Sequence, residues 1–465
     1  MKLIKSLLLG SAAGLVAVSA SQAADLPTRK GPVAAEYVRV CSITVAGVPV
    51  VGFVLPGSDT CFKISGYLTG QIEAGYVKTG YYTDISGQNR RAFAANGANA
   101  SNQIIAPSFG ADSVGWTTRF NLTMDAVSNT AYGPLVSHVE VQTEAGNNFA
   151  TDGNTSYLNR AYVTWAGLTA GKANSFFSFT GGGLGWNNFF SPDQQGFNQP
   201  DVLAYTASFG GGFTATLALQ STGTMGGSGG GVIEGYLGSA TQGGTRVPDI
   251  VGALDVKQAW GAAHLGGVGH NVRAASTQGD GSTLDTWGYG IDAGVSFNIP
   301  SMPGTVIGLT GAYSRNAMWY SGIPDGLWGD QGQAVNGNGQ GMAIGDAFSN
   351  GNGTWATPTA WSISGWAQTA ISPTFTLGVE GSYGQLSWSG QNAISLLSTS
   401  RSFLVGGVAH YDPVKNLDFE LEIFYQSTVT NQPTGYIPAV APGVTSSWMS
   451  KSNGFTGRFE VTRSF

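Results

Sequence analysis

Apolar and polar residues alternate along the segment from Gly454 to Phe465. Every second residue belongs to a row that is apolar except for one arginine, and this row is Phe455, Gly457, Phe459, Val461, Arg463 and Phe465. The residues between them are polar or charged: Thr456, Arg458, Glu460, Thr462 and Ser464. Because successive side chains of a strand point to opposite faces, the pattern predicts a β-strand with one apolar and one polar face.

The same alternation recurs in earlier parts of the sequence. It is clearest at residues 64–76, 116–126, 138–144, 160–165, 213–220, 289–298 and 417–426. In a β-sandwich, the apolar face of such strands meets a second sheet and the polar face meets solvent. In a transmembrane barrel, the apolar face meets lipid and the polar face lines water. Alternation alone leaves both folds open.

The connections between the predicted strands favour the barrel. Short links are predicted near residues 129, 167, 211 and 258, and at 300–304, 372–374 and 412–416. Long links are predicted at 79–113, 148–157, 174–200, 222–246, 274–285, 315–356, 389–398 and 429–450. Short and long links that alternate in this way are typical of barrels with short periplasmic turns and long extracellular loops. The predicted fold class is therefore all-β, a transmembrane antiparallel β-barrel of about sixteen strands.

Composition supports this prediction. Charged residues make up 10% of the chain, 71 residues are glycine, and the mean hydropathy is +0.02. Soluble domains carry about 25% charged residues. No internal run of about 18 apolar residues occurs, so a membrane-spanning helix is not predicted. Phe465 at the end of the last strand fits a terminal strand that pairs with the first and leaves no open edge in lipid.

Aromatic residues near the predicted strand ends are interpreted as belts at the two membrane interfaces. These residues are Tyr81, Tyr82, Phe176, Phe177, Trp319, Tyr320, Trp388 and Phe465. For any one of them, ordinary packing is an equally good interpretation.

The first 23 residues have the features of a signal peptide. Lys2 and Lys5 precede an apolar run from Leu7 to Val18, and small residues surround a predicted cleavage site after Ala23. Cleavage would lower the formal charge from −6 to −8, which argues against nucleic acid as a partner. The expected organisation is a signal peptide at 1–23, a periplasmic segment at 24–61 and the barrel at 62–465.

The chain contains two cysteines, Cys41 and Cys61. In an oxidising compartment, we expect them to form a disulfide, and the alternative is two unpaired thiols. Closing a loop of this length would contribute roughly 3 kcal/mol. A metal site is not expected there, because two ligands are too few and no histidine lies near them in sequence. The apolar residues 45–55 within the loop leave open a hairpin, a plug or a periplasmic cover.

Several motifs of the chain carry a family resemblance. Glu-Tyr-Val-Arg-Val-Cys occupies residues 36–41, and Pro-Gly-Ser-Asp-Thr-Cys-Phe-Lys-Ile occupies 56–64. Further motifs are Ala-Tyr-Val-Thr-Trp-Ala-Gly-Leu-Thr-Ala-Gly-Lys at 161–172, Ser-Phe-Phe at 175–177, Val-Lys-Gln-Ala-Trp-Gly at 256–261 and the closing Arg-Ser-Phe. Together they resemble the general porins of alphaproteobacteria. The segment between the cysteines departs from the pattern of that family, because it is longer and more apolar.

The resemblance implies a homotrimer of sixteen-stranded barrels in the bacterial outer membrane. It also implies a water-filled channel through which small hydrophilic solutes and ions diffuse passively, with membrane lipid around it and without a cofactor or metal. In this family, the third long loop folds into the barrel and narrows it, and acids on that loop face basic residues of the wall.

Residues 173–200 form the third predicted long loop, which we call the constriction loop. Its many aromatic rings predict that it packs against something, because so much apolar surface is costly in water. The candidate constriction residues are Asp193 in the loop, Asp201 at its end, and Arg119, Arg160 and Glu140 on the lumen face of the wall. The alternative for the arginines is that they only neutralise Glu140 and Glu144 across neighbouring strands. The acidic charge of the chain predicts a mild preference for cations.

An enzymatic function is not predicted. None of the four histidines (His138, His264, His270 and His410) belongs to a recognisable catalytic motif. The glycine-rich run at 226–231 lacks the Gly-Lys-Ser/Thr of a phosphate-binding loop. The remaining alternatives are a substrate-specific outer-membrane channel and a barrel whose loops bind other surfaces. The Asn- and Gly-rich loop at 315–355 could serve either.

Overall fold

The computed structural model describes residues 39–54, 57–78, 81–83, 89–91, 114–147, 153–179, 199–221, 240–323, 345–390, 398–431 and 451–465. The predicted signal peptide at 1–23 and Asp193 lie outside these residues. Among the described segments, no helix has the length and apolar character needed to cross a membrane.

The described residues form 22 strands and one short 3-10 helix, Met318–Ser321. The strands are β1 (Val40–Val45), β2 (Val48–Val54), β3 (Cys61–Lys78), β4 (Tyr81–Thr83), β5 (Asn89–Arg91), β6 (Val114–Thr130), β7 (Gly133–Asn147), β8 (Gly153–Trp165), β9 (Leu168–Lys172), β10 (Asp201–Gly210), β11 (Phe213–Gln220), β12 (Ala240–Gln242), β13 (Asp249–Gln258), β14 (Gly261–Ser276), β15 (Thr283–Asn298), β16 (Val306–Arg315), β17 (Phe348–Ser349), β18 (Trp355–Ser372), β19 (Phe375–Ser389), β20 (Ser400–Val414), β21 (Leu417–Thr430) and β22 (Lys451–Ser464).

Sixteen of these strands close into one antiparallel barrel, as the sequence predicts. In order around the barrel they are β3, β6 to β11, β13 to β16 and β18 to β22, and β22 pairs with β3. Phe465 extends this closing pair, because its N–H donates to the carbonyl of Gly66 at 2.9 Å and its own carbonyl accepts from Gly66. Closure matters because an unpaired strand edge in lipid leaves backbone polar groups without hydrogen bonds.

The alternation of the sequence becomes an outward apolar face and an inward polar face. In β22, Phe455 is 64% exposed on the outside, whereas Arg458 is 1% exposed on the inside. Trp116 and Leu217 point outward in the same way, and Asn121 points inward. The predicted lumen and lipid faces are therefore confirmed.

All seven predicted short links occur at one rim, where they join β6 to β7, β8 to β9, β10 to β11, β13 to β14, β15 to β16, β18 to β19 and β20 to β21. The link predicted at 148–157 is shorter than expected, because β8 already begins at Gly153. Two small strands within long links add to the sheet, since β12 pairs with β14 and β17 pairs with β18.

Part of the predicted aromatic belt is wrong. Phe177, Trp319, Tyr320 and Trp388 are buried in the described structure, so they are not interface residues. Phe465 is 54% exposed, as a belt residue should be. Other outward aromatic residues cluster close to the short turns: Tyr132, Trp165, Phe209, Phe213, Trp260, Phe297 and Tyr411. The error arose because burial against an inserted loop leaves no local signal in the sequence.

The apolar segment between the cysteines forms a hairpin. β1 and β2 pair over their whole length, and β2 continues onto β3 through the pairs Phe53–Phe62 and Val54–Cys61. Cys41 and Cys61 form the predicted disulfide. Because β3 starts at the short-turn rim and β1 also contacts β6 and β7, the hairpin lies against that rim.

The disulfide should control the attachment of this hairpin. Only two register pairs join β2 to β3, so we expect Cys41→Ser to release residues 40–54 to protease while the barrel stays folded. The measurement is limited proteolysis with mass spectrometry, in detergent, with and without reductant. Unchanged protection of the hairpin in Cys41→Ser would contradict the expectation, as would loss of the whole barrel.

Candidate functional site

The start of the constriction loop enters the barrel. Ser175 Oγ donates to Gln220 on β11 at 2.9 Å, and the N–H of Phe179 donates to Asp292 Oδ2 on β15 at 3.1 Å. The carbonyl of Phe177 accepts from His264 Nε2 on β14 at 2.8 Å. These bonds fix residues 173–179 along the inner wall, and residues 180–198 of the predicted loop lie outside the described residues.

Glycines in the wall make room for this loop. A Cβ at Gly294 would lie 2.3 Å from the ring of Phe179, and a Cβ at Gly266 would lie 2.0 Å from the carbonyl oxygen of Phe177. Both distances are far below van der Waals contact, so any larger residue would displace the loop. Glycine at these two positions thus leaves a groove in the wall that fits the backbone and an aromatic ring of the loop.

A second long link also folds inward. Residues 316–323 and 345–350, which we call the second inserted loop, are buried inside the barrel, and Met318 and Ile323 have no exposed surface. The N–H of Met318 donates to Asp346 Oδ1, and the ring of Tyr320 packs edge-on against Phe177 at 4.8 Å. The constriction loop is therefore in contact with the second inserted loop.

Burial keeps the Tyr320 hydroxyl of this inserted loop protonated. It raises the pKa of the Tyr320 hydroxyl well above its usual range, and the neighbouring Asp249 carboxylate adds to the effect. Tyr320 therefore stays neutral and donates its O–H to Asp249 Oδ2. Burial also raises the pKa of Asp346 above its usual value.

The predicted wall residues form cross-strand ion pairs. Arg119 Nε lies 2.6 Å from Glu144 Oε1, and Arg160 Nη1 lies 2.6 Å from Glu140 Oε2. Arg160 also donates through Nε to Asn174 at 2.8 Å, and so it links the wall to the start of the constriction loop. The neutralising pairs that the sequence left as an alternative are thus present, and Arg160 has a contact beyond them.

Glutamates dominate the half of the barrel opposite the loop anchors. This half consists of β19 to β22, β3 and β6 to β8, and we call its inner face the acidic wall. The buried glutamates of the described wall are Glu73, Glu140, Glu144, Glu380, Glu420, Glu422 and Glu460. The buried arginines of the described chain are Arg119 and Arg458. Glutamates therefore outnumber arginines among the buried residues of the described wall.

Arg458 holds the centre of the acidic wall together. Its guanidinium lies 2.6 Å from Glu422, 3.6 Å from Glu420 and 3.8 Å from Glu73. The side chains of Arg458 and Glu422 have no exposed surface. A buried charge of this kind is tolerated only with such partners.

The structure places Asp201 away from the lumen row. It begins β10 in the same outward row as Leu203 and pairs with Lys172 of β9. Alternation along β10 therefore turns its carboxylate away from the wall arginines, and this placement does not favour a constriction role.

A recurring histidine arrangement was missed by sequence reasoning. In all four histidines, Nδ1 contacts an aspartate of the neighbouring strand, at 2.7 to 2.9 Å, and the pairs are His138–Asp125, His264–Asp255, His270–Asp249 and His410–Asp418. Little signal was available in β14 and β20, because small and apolar residues occur on both faces of these strands. The arrangement becomes visible only when the register brings each histidine and its aspartate together.

The fold and its lined lumen define the class of protein as a transmembrane β-barrel of the porin type. A model of the family described as the porin subfamily matches residues 25–453. The chain belongs to this family, and its barrel is located in the outer membrane.

Curated relatives and a solved structure agree with this assignment. Porin Omp2b of Brucella canis is 32% identical over 275 residues, which cover 56% of this chain and 64% of that protein. Porin Omp2b of Brucella melitensis is 32% identical over 274 residues, with the same coverage. The chain thus spans slightly less than two thirds of these relatives' length. The outer membrane channel DcaP of Acinetobacter baumannii shares the fold, with a TM-score of 0.55, 15% identity and coverage of 89% and 99% of the two chains.

Replacing Arg458 should destabilise the barrel. Arg458→Met leaves buried glutamates without their counter-charge, so we expect a loss of about 3–5 kcal/mol in the free energy of unfolding. The measurement is urea unfolding in lipid vesicles, followed by tryptophan fluorescence. Arg246→Met is the matched control, because Arg246 forms an exposed pair with Asp285 at 3.5 Å and should have no measurable effect. Equal midpoints for the two variants would contradict this role.

Proposed function

We propose that the protein is an outer-membrane channel that lets small hydrophilic solutes and ions diffuse down their gradients. The observation that carries the proposal is a closed barrel with a charged inner face and an apolar outer face. Membership of the porin family supports it. The proposal needs no cofactor or energy source and assigns the protein no catalytic step.

The constriction, in this proposal, lies between the constriction loop and the acidic wall. Arg160 bonds Asn174 at the start of the constriction loop and forms an ion pair with Glu140. Both residues are therefore placed to influence the electric field at the constriction. Arg119 belongs to the same ion-pair system through Glu144. Asp193 is retained as a loop acid on sequence grounds. Because glutamates exceed arginines on this wall, the expected selectivity is for cations.

A substrate-specific channel is the second candidate. The second inserted loop favours it, because Tyr320 and Met318 fill space beside the constriction loop that a general pore would leave to water. Permeation rates separate the two candidates. A general pore gives rates that fall smoothly with solute size, whereas a specific channel favours one solute over others of equal size.

Assembly as a homotrimer is also part of the proposal and rests on the family resemblance. The first test is single-channel recording in planar bilayers with refolded mature protein. Stepwise openings that scale with salt concentration, grouped in threes, are the expected result. Protein that is inserted and β-rich but gives no openings would refute an open channel.

Displacing the constriction loop from the wall should narrow the pore. In Gly294→Ala, the new methyl group would overlap the ring of Phe179 and push it toward the lumen, so we expect a lower single-channel conductance than in the wild type. Gly267→Ala is the matched control on the adjacent strand, because its Cβ would have no neighbour closer than 4.0 Å. The same conductance in both variants would argue against a constriction formed by this loop.

Removing one charge from the acidic wall should weaken cation preference. Glu460 is buried on this wall, so the zero-current potential of Glu460→Gln in a salt gradient should move toward zero. Asp59→Asn removes the same charge at an exposed position outside the barrel strands and should leave the potential unchanged. A wild-type potential that favours chloride would contradict the proposed selectivity.

A further inference from the structure

His410, Asp418 and Glu420 bring three possible metal-binding atoms together on the inner wall. We call these residues the His410 cluster. Nδ1 of His410 lies 2.9 Å from Asp418 Oδ2 and 4.0 Å from Glu420 Oε2. The three ligand atoms all lie within 4.8 Å of one another. It is the one group of this kind found among the described residues.

These distances suit a single small cation. Zinc binds imidazole nitrogen and carboxylate oxygen at about 2.0–2.2 Å, so the ligand atoms around a tetrahedral ion stand roughly 3.3 Å apart. The observed separations of 2.9 and 4.0 Å lie on either side of this value. Binding would therefore require the Glu420 oxygen to move closer to His410 than the 4.0 Å observed without the cation.

Each residue of the cluster also carries a second polar atom that has no hydrogen-bond partner among the described residues. His410 Nε2, Asp418 Oδ1 and Glu420 Oε1 are buried without a hydrogen-bond partner in the described structure. Glu420 is 4% exposed, and the cation nearest to this oxygen is Arg458, at 3.6 Å. These three atoms are not the ones that converge, but a cation held by the other oxygen of each carboxylate would lower the cost of burying its charge.

The charges around the cluster favour a cation as well. Asp412 interacts electrostatically with His410 and Asp418, which adds a third carboxylate to the surroundings. Arg458 is the opposing charge, but its closest contact is with Glu422 at 2.6 Å. The cluster therefore keeps an excess of negative charge next to its imidazole.

The other three histidines lack this convergence. The carboxylates near His138 lie on opposite ring nitrogens, with Asp125 at Nδ1 and Glu140 at Nε2, and Arg160 already contacts Glu140. His264 uses both nitrogens, for Asp255 and for the carbonyl of Phe177. At His270, the other oxygen of Asp249 accepts the hydroxyl of Tyr320.

We propose that the His410 cluster binds one divalent transition-metal cation of the zinc type. A mixture of one imidazole and two carboxylates suits zinc, whereas magnesium and calcium prefer sites made of oxygen alone. The cation would replace the proton between His410 Nδ1 and Asp418. The cluster lies near the turn between β20 and β21, so the bound cation would sit on the inner wall close to the short-turn rim.

Zinc binding to the complete mature chain, refolded in detergent and freed of metal with a chelator, tests the proposal. The expected result by calorimetry is one zinc ion per chain, not displaced by excess magnesium. His410→Gln and Asp418→Asn should each weaken binding at least tenfold. Cobalt should give the visible absorption bands of a low-coordinate site in the wild type and lose them in both variants.

His138→Gln is the matched control, because it removes a histidine that also faces two carboxylates, and it should bind zinc like the wild type. Absence of zinc binding by the wild type would overturn the proposal. Wild-type affinity in a His410→Gln or Asp418→Asn protein that is shown to be β-rich would also overturn it. The readout is metal binding, so it does not depend on whether the barrel conducts.

Discussion

The closing pair between β22 and β3 is the contact on which the rest of the structure depends. Hydrocarbon offers no hydrogen bonds to the backbone, so a sheet in the membrane is stable only when no strand edge is left open. Twelve register pairs from Asn453 to Ser464 close the barrel, and Phe465 adds the bonds to Gly66. Once the sheet is closed, each strand must place apolar residues outside and polar residues inside, and most of the barrel strands show this alternation in the sequence.

Closure also brings many polar and charged side chains together inside the barrel. The polar rows of sixteen strands face one another in a limited volume, and charges there need partners. Arg458 with its glutamates and Arg119 with Glu144 provide them on one half of the barrel. On the other half, the inserted loops cover the wall and use His264, Asp249 and Asp292 as hydrogen-bond partners. The two halves therefore differ in chemistry, with carboxylate–arginine pairs on one and loop contacts on the other.

Four histidine–aspartate pairs share one local geometry, yet their surroundings give them different roles. His264 and His270 lie under the inserted loops and contribute to their attachment, since His264 bonds Phe177 and His270 shares Asp249 with Tyr320. His138 lies beside Glu140, which already forms an ion pair with Arg160. Only at His410, among these four, do two carboxylates approach the same ring nitrogen. The side chains around each histidine–aspartate pair, and not the pair itself, therefore decide what the pair can contact or bind.

The sequence by itself determined the barrel, because alternation and link length are local properties that follow from strand geometry and from the contrast between lipid and water. It also predicted the Cys41–Cys61 disulfide and the lumen position of Arg119, Arg160 and Glu140. Tertiary structure alone decided which charges meet, since barrel closure brings Glu73 of the first barrel strand to Arg458 of the last. It likewise decided the inward fold of Met318 and Tyr320, because an aromatic residue at a strand end has the same local pattern whether it packs against lipid or against another loop.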